Sequence, residues 1–156
     1  MAKEKDVMLT VNRILCPTDL SDPSFHALDK AIELARHFGA ELLLLHVVPD
    51  VPPLPNSGAG AFPVVEYERA LEESARGRMT KLVAEKVPPD VKVRWIVTRG
   101  DAATQILLAS EDEKVDLVVI ATHGMTGWRH LIFGSVTEKV VRLEHRPVLT
   151  LRRPPQ

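Results

Sequence analysis

The sequence predicts a doubly wound α/β fold: a five-stranded parallel sheet with helices on both faces, a Rossmann-like α/β/α sandwich. Three observations carry the expectation. Short runs rich in Val, Leu and Ile alternate along the chain with segments of helical period. Their order is β-α-β-α-β-α-β-α-β, and parallel neighbours joined by right-handed crossovers need helices lying over the sheet. Most of the runs are apolar at nearly every position, as strands buried on both faces must be. With 156 residues, 45% hydrophobic and 26% charged, the chain suits one domain spanning residues 1–156.

The first strand is expected over 11–16, a Val-Ile-Leu run closed by Cys16 and Pro17. Ser21-Asp22-Pro23 supplies a cap with proline in the first turn, so a helix runs from there to Gly39 and presents Phe25, Leu28, Ile32 and Ala35 to the core. A buried strand follows over 41–48. Residues 49–63 hold five prolines around Asn56-Ser57-Gly58-Ala59-Gly60 and suit neither helix nor central strand. A loop of that length either covers a ligand site or has no fixed structure. The next helix spans 63–86 with Tyr67, Leu71, Ala75 and Leu82 on its apolar side and Gly77 as a weak point. The strand at 91–97 places Lys92 and Arg94 between valines, so one of its faces is less buried. A third helix begins after Gly100-Asp101, a fourth strand runs over 115–121, and a fourth helix begins at Ser135, where Ser135-Val136-Thr137-Glu138 has capping-box spacing. Residues 147–151 form the last strand.

Composition narrows the function classes. Twenty basic and 21 acidic residues give a net charge of −1 without a long basic stripe, so nucleic acid is not an expected partner. One cysteine, and an N-terminus whose first six residues lack an apolar core, point to a reducing, cytoplasmic location. The longest apolar run falls far short of the ~20 residues that cross a bilayer, so no membrane span is expected.

In doubly wound sheets, ligands bind beyond the carboxyl ends of the strands where the winding reverses. Pro17-Thr18-Asp19 follows the first strand. Asp19 there could bond ribose hydroxyls or help to hold Mg²⁺, or it could close a turn on local amides. The fourth strand opens into Ala121-Thr122-His123-Gly124 and continues to Gly134-Ser135, a loop with three glycines that ends at a helix start. Glycines let backbone approach a phosphate, and the first helical amides supply donors and positive potential. Neither a Walker A motif nor Gly-x-Gly-x-x-Gly is present. Ser135 suits a phosphate contact or a cap, Arg129 a phosphate partner or a solvated surface charge. His123 and His130 lack companions for a metal site, His46 reads as a hydrogen-bonded core residue, and Trp128 suits packing or contact equally. Gly-x-Ser-x-Gly is absent, and Cys16 has no evident base, so a nucleophilic enzyme is not expected. A positioned lysine, several metal-binding acids and a base for water are not visible as a set, which favours binding over phosphoryl transfer.

On these residues the chain resembles the universal stress protein family over nearly its whole length. The resemblance lies in Ile14-Leu15-Cys16-Pro17-Thr18-Asp19-Leu20-Ser21, in the Leu43-Leu44-Leu45-His46-Val47 strand ending in Pro49, in Thr122-His123-Gly124 followed after nine residues by Gly134-Ser135-Val136-Thr137-Glu138-Lys139-Val140, and in Pro147-Val148-Leu149-Thr150-Leu151. The family's ATP-binding branch has Gly-x-x-Gly, nine residues, then Gly-Ser or Gly-Thr; Ala121 stands here at the first glycine, followed by Thr122. The resemblance implies ATP with Mg²⁺, adenine against Val47, Pro17-Thr18-Asp19 near base and ribose with Asp19 at the metal, and the triphosphate across Gly124, Arg129, Gly134, Ser135 and Val136. It also implies a homodimer through Val148, Leu149, Thr150 and Leu151, which would give an edge strand a partner. Three functions fit: an ATP-binding stress-response regulator with little turnover and an unidentified protein partner, a slow ATPase or self-phosphorylating protein, and a dimeric scaffold without nucleotide. A phosphoacceptor receiver does not fit, because no acidic pair follows the first strand and no lysine the last.

Overall fold

The computed structural model describes residues 10–52, 64–123 and 133–152. Its elements are β1 (Arg13–Pro17), α1 (Asp22–Phe38), β2 (Glu41–Val48), α2 (Val64–Lys86), β3 (Val93–Arg99), α3 (Ala102–Asp112), β4 (Leu117–Ala121), α4 (Ser135–Leu143) and β5 (Val148–Leu151). The five strands are all parallel and ordered β3-β2-β1-β4-β5. The chain winds outward from β1 through β2 to β3, then crosses back to lay β4 on the other side of β1. The winding therefore reverses between β1 and β4.

The pleat sends successive side chains to opposite faces, and the core divides accordingly. Ile14, Cys16, Leu42, Leu44, Leu117 and Val119 pack with α1 and α2 through Leu28, Ile32, Ala75 and Met79. Leu15, Leu43, Leu45, Val118 and Ile120 pack on the other face with Ile106 of α3 and Val140 of α4. Helix α1 ends where Gly39 takes a left-handed φ of 64° that a side chain disfavours.

Strands β1, β3 and β4 begin two residues later than their apolar runs. Val11, Val91 and Val115 are buried, yet they fill the amino-terminal pole of the core before strand pairing starts. There the Asp116 carboxylate accepts the amides of Asn12 and Arg13 at 2.7 and 3.0 Å. Helix α2 runs unbroken through Gly77 and buries Ala75, Met79 and Leu82, while Tyr67, expected on the core side, is 44% exposed. The first turns of α2 are held by charge instead: Glu68 meets the Arg99 guanidinium at 2.5 Å, and the same guanidinium reaches Asp50 at 3.4 Å. The alternation of β3 reflects its place at the edge of the sheet.

β5 is the opposite edge, and its approach is fixed by a buried acid at the end of α4. Glu144 Oε1 accepts the amides of His145 and Arg146 at 2.9 and 3.1 Å and the Arg146 guanidinium at 3.1 Å. Its Oε2 and the Ser110 hydroxyl are buried without an aligned partner among the described residues; they lie close enough that the hydroxyl, by rotating, serves both. Burial pushes this carboxyl up, but the Ser110 hydroxyl, the two amides and Arg146 outweigh burial and hold it below its ordinary 4.5. A depressed native pKa stabilises the fold above the unfolded value and ceases to do so as pH falls through the native one.

Two predictions follow from this packing. Met79→Ala should lower unfolding free energy in urea by about 2–5 kcal/mol, against about 0.5 kcal/mol or less for Val65→Ala on the exposed side of the same helix. Glu144→Gln should destabilise the protein at neutral pH, and the gap from wild type should narrow as unfolding is measured at pH values progressively below 4.5.

Candidate functional site

Where β1 and β4 part, the carboxyl ends of the strands open into a cleft of about 270 Å³. Leu45 and Ile120 contribute from the sheet, Ala102 and Ile106 from α3, and Gly134, Ser135, Val136 and Thr137 from the start of α4. Pro17, Thr18 and Asp19 form the β1 side, with Ser24, Val47, Ala121 and His123 completing the lining. Asp19 is the one carboxylate among the described lining residues.

The β1 side is a tight turn whose hydroxyls are already engaged. Ser24 Oγ donates to Ser21 O at 2.8 Å, so the 2.8 Å bond between Ser24 Oγ and Thr18 Oγ1 takes its hydrogen from Thr18. Thr18 Oγ1 in turn accepts the Leu20 amide at 3.0 Å, which holds Leu20 at a left-handed φ of 63°. Thr18 is buried, and its side chain builds the turn. Asp19 is exposed; its Oδ1 accepts the Ser21 amide at 3.1 Å and the Ser21 hydroxyl. The side chain thus closes the turn at the same position that faces the cleft.

The β2 side follows from ladder alternation. Residues along a parallel strand turn their backbone groups to its two neighbours in turn. Glu41 donates to Asn12 on the β1 side and Leu42 to Lys92 on the β3 side, while Leu45 accepts from Thr18. Val47 therefore turns its N–H and C=O toward β1, which ended at Pro17. The next acceptor on that side, Thr18 O, is occupied by His46 Nδ1 at 2.8 Å; a carbonyl only accepts, so Nδ1 carries the hydrogen. His46 is hydrogen-bonded, as expected, but half-buried and not in the core, and it fixes the backbone opposite Val47.

The third side is the start of α4. Its cap is Gly134, one residue before Ser135, which puts Glu138 beyond capping-box reach; the expected box on Ser135 does not form. Gly134 N–H donates to Thr122 O at 2.7 Å, and the first bond within the helix is Glu138 N–H to Gly134 O. The amides of Ser135, Val136 and Thr137, the donors that every helix start leaves over, take no partner among the described residues. Nothing in the described residues requires glycine at 134: its φ is −70°, and an added Cβ would meet Thr122 O at 3.5 Å and His123 Cα at 3.9 Å, ordinary contacts. Gly134 itself lines the cleft.

Helices α3 and α4 are tied where they wall the cleft. Asp101 caps α3 on the Thr104 amide and hydroxyl and receives Lys139 Nζ of α4 at 2.9 Å. The Thr104 hydroxyl and the Lys139 ammonium hold its carboxyl well below the usual range.

Of the residues singled out from sequence, Pro17, Thr18, Asp19, Val47, Ala121, Gly134, Ser135 and Val136 come together on this cleft. Gly124 and Arg129 lie outside the described residues. Thr122 does not line the cleft: it is buried, its hydroxyl bonds His123 Nδ1 at 3.0 Å, and its backbone joins Leu151 to Gly134. Ala121 has ordinary strand backbone, so a methyl is what it adds over glycine. Ala102 and Ile106 were not foreseen; a small residue opening a helix directly after a strand was their only sequence signal. No cluster of three potential metal ligands occurs among the described residues. Cys16 is buried and its thiol is pushed up to about 12 by desolvation, which removes it as a nucleophile.

Comparison with known proteins gives one answer. The model of the universal stress protein family matches residues 10–152. Universal stress protein MJ0531 of Methanocaldococcus jannaschii is 34% identical over 145 residues, covering 91% of this chain and 82% of that protein. YxiE of Bacillus subtilis is 33% identical over 146 residues, covering 90% and 99%. The solved structure of MJ0577, also from Methanocaldococcus jannaschii, superposes with a TM-score of 0.80 at 28% identity, covering 94% of this chain and 99% of that one. A universal stress protein in complex with cAMP shares the fold at 21% identity and a TM-score of 0.59.

The Thr18 turn yields a prediction independent of any ligand. Thr18→Val should lower stability by about 1–3 kcal/mol in urea unfolding, because it removes the donor to Ser24 and leaves the Leu20 amide without its acceptor; Thr18→Ser should recover most of the loss.

Proposed function

The chain belongs to the universal stress protein family, and from that premise we propose that it is an ATP-binding regulator of a stress response that holds the nucleotide with little or no turnover. One observation carries the reading: three helix-start amides without a partner among the described residues, an apolar slot and a carboxylate share one cleft. Each suits a different part of a nucleotide. The Val47 N–H and C=O offer a donor and an acceptor to the edge of adenine, and Leu45, Ala102 and Ile106 enclose its faces. Asp19 accepts from ribose hydroxyls. The amides of Ser135, Val136 and Thr137, reinforced by the helix dipole, receive the phosphates, and the family resemblance implies Gly124 and Arg129, which lie outside the described residues, as further phosphate ligands. The protein bound to cAMP shares only the fold, so the argument for nucleotide rests on the cleft.

Mg²⁺ fits the donor set in one manner. It commonly takes one or two carboxylates together with substrate phosphates and water, and Asp19 is such a carboxylate. When bound, the ion would neutralise phosphate charge. In this reading two copies associate along β5, an edge strand on which Leu149 is 39% exposed. Pairing would satisfy the edge.

Calorimetric titration of nucleotide-freed protein with Mg·ATP is the test. Saturable heat with about one ATP per chain is expected, and Gly134→Leu should abolish it while leaving the thermal transition within a few degrees of wild type. Absence of heat in the wild-type protein would rule out the nucleotide reading and leave a dimeric scaffold.

A further inference from the structure

Thr137 is a threonine in the first turn of an amphipathic helix, a place where solvent exposure would be ordinary. It is instead 4% exposed, and its hydroxyl donates across to Ala121 O, at the end of β4, at 2.8 Å. It occupies the third helical position, where a capping-box side chain would turn back to the cap amide. It does not turn back, because the cap amide, that of Gly134, is committed to Thr122 O at 2.7 Å. Two consecutive carbonyls leaving β4 are thus each bonded to the start of α4, one by backbone and one by the Thr137 side chain. Between these two ties lie Ser135 and Val136; both line the cleft with Thr137, and the three amides take no partner among the described residues.

We infer that Thr137 is a positioning residue that sets the helix-start amides against the phosphates, acting through Ala121 O and not through contact with the base. The inference rests on the nucleotide reading of the cleft. A single tie at Gly134 would leave the first turn free to pivot about that bond; the second, at one helical turn's reach, removes the pivot. Oriented amides are effective anion ligands because their reorganisation is spent in folding and not in binding. The Ala121 carbonyl is buried with its strand, so loss of the hydroxyl leaves a buried acceptor without its donor, and the turn must shift to find water.

The test compares wild type, Thr137→Val, which keeps the shape and lacks the donor, and Thr137→Ser, which keeps the donor. Mg·ATP and adenosine are titrated into each, and amide hydrogen exchange is followed over residues 134–138 without ligand. Thr137→Val should bind Mg·ATP about tenfold more weakly, bind adenosine within about twofold of wild type, and exchange faster in the first turn of α4; Thr137→Ser should restore all three. Equal losses toward ATP and adenosine would overturn the inference by showing a general effect on the cleft, as would unchanged ATP affinity. Should wild type bind no ATP at all, the nucleotide reading fails, and exchange decides the remaining claim: unchanged exchange in Thr137→Val overturns the positioning role, and acceleration rescued by serine supports it as the constraint on the helix start.

Discussion

Everything at the cleft depends on the reversal of winding beside β1. Parallel pairing obliges each strand to hand its chain to a helix at the carboxyl pole. Between β1 and β4 the two chains leave toward opposite faces, so a gap opens that neither α1 nor α4 fills. Beside it β1 ends at Pro17, which leaves the Val47 backbone without a strand to face, and the start of α4, tied to α3 through Lys139 and Asp101, forms the cleft's other wall. The site is what the sheet cannot close, built largely from backbone groups that the fold leaves over.

That origin separates two kinds of polar residue that look alike in sequence. Thr18, Ser24 and Thr137 are hydroxyl residues at the cleft, and all three are buried and bonded to the protein itself. They hold turns and helix starts in place. Ser135, by contrast, is exposed at the first helical position with no capping role. Its amide takes no partner among the described residues. In the proposed reading the side chains that supply structure are thus distinct from the groups offered to a ligand, with Asp19 in both roles.

The sheet and its flanking helices were legible because hydrophobic period and chain punctuation agree. Ser21-Asp22-Pro23 and Gly39 bracket α1, and Leu42 to Leu45 alternate between two cores without a polar interruption. The errors have physical causes. Apolar runs include pole-filling residues such as Val11 and Val115, so they overstate strand length. Tyr67 follows helical spacing, yet the first turns of α2 are anchored through Glu68 to Arg99, and the packed side passes to Met79. The capping-box spacing at Ser135 was a coincidence of letters, since the chain already caps α4 with Gly134. Ala102 and Ile106 could not be read as site residues, because their place on the cleft is set by α3 crossing beside α4, a relation between elements distant in sequence.

The alanine at 121 shows what the glycine pattern does and does not require. Glycine is needed where φ is positive or where a methyl collides. Ala121 is ordinary strand, paired with Leu151, and its carbonyl receives Thr137. Every hydrogen-bonding duty at this position belongs to the main chain and is indifferent to the side chain. The methyl therefore changes the space of the cleft and leaves its donors and acceptors where they were. A departure from a family pattern at a position that acts through its backbone leaves the arrangement intact; at Gly134, too, an added methyl would meet Thr122 O and His123 Cα at ordinary contact distances.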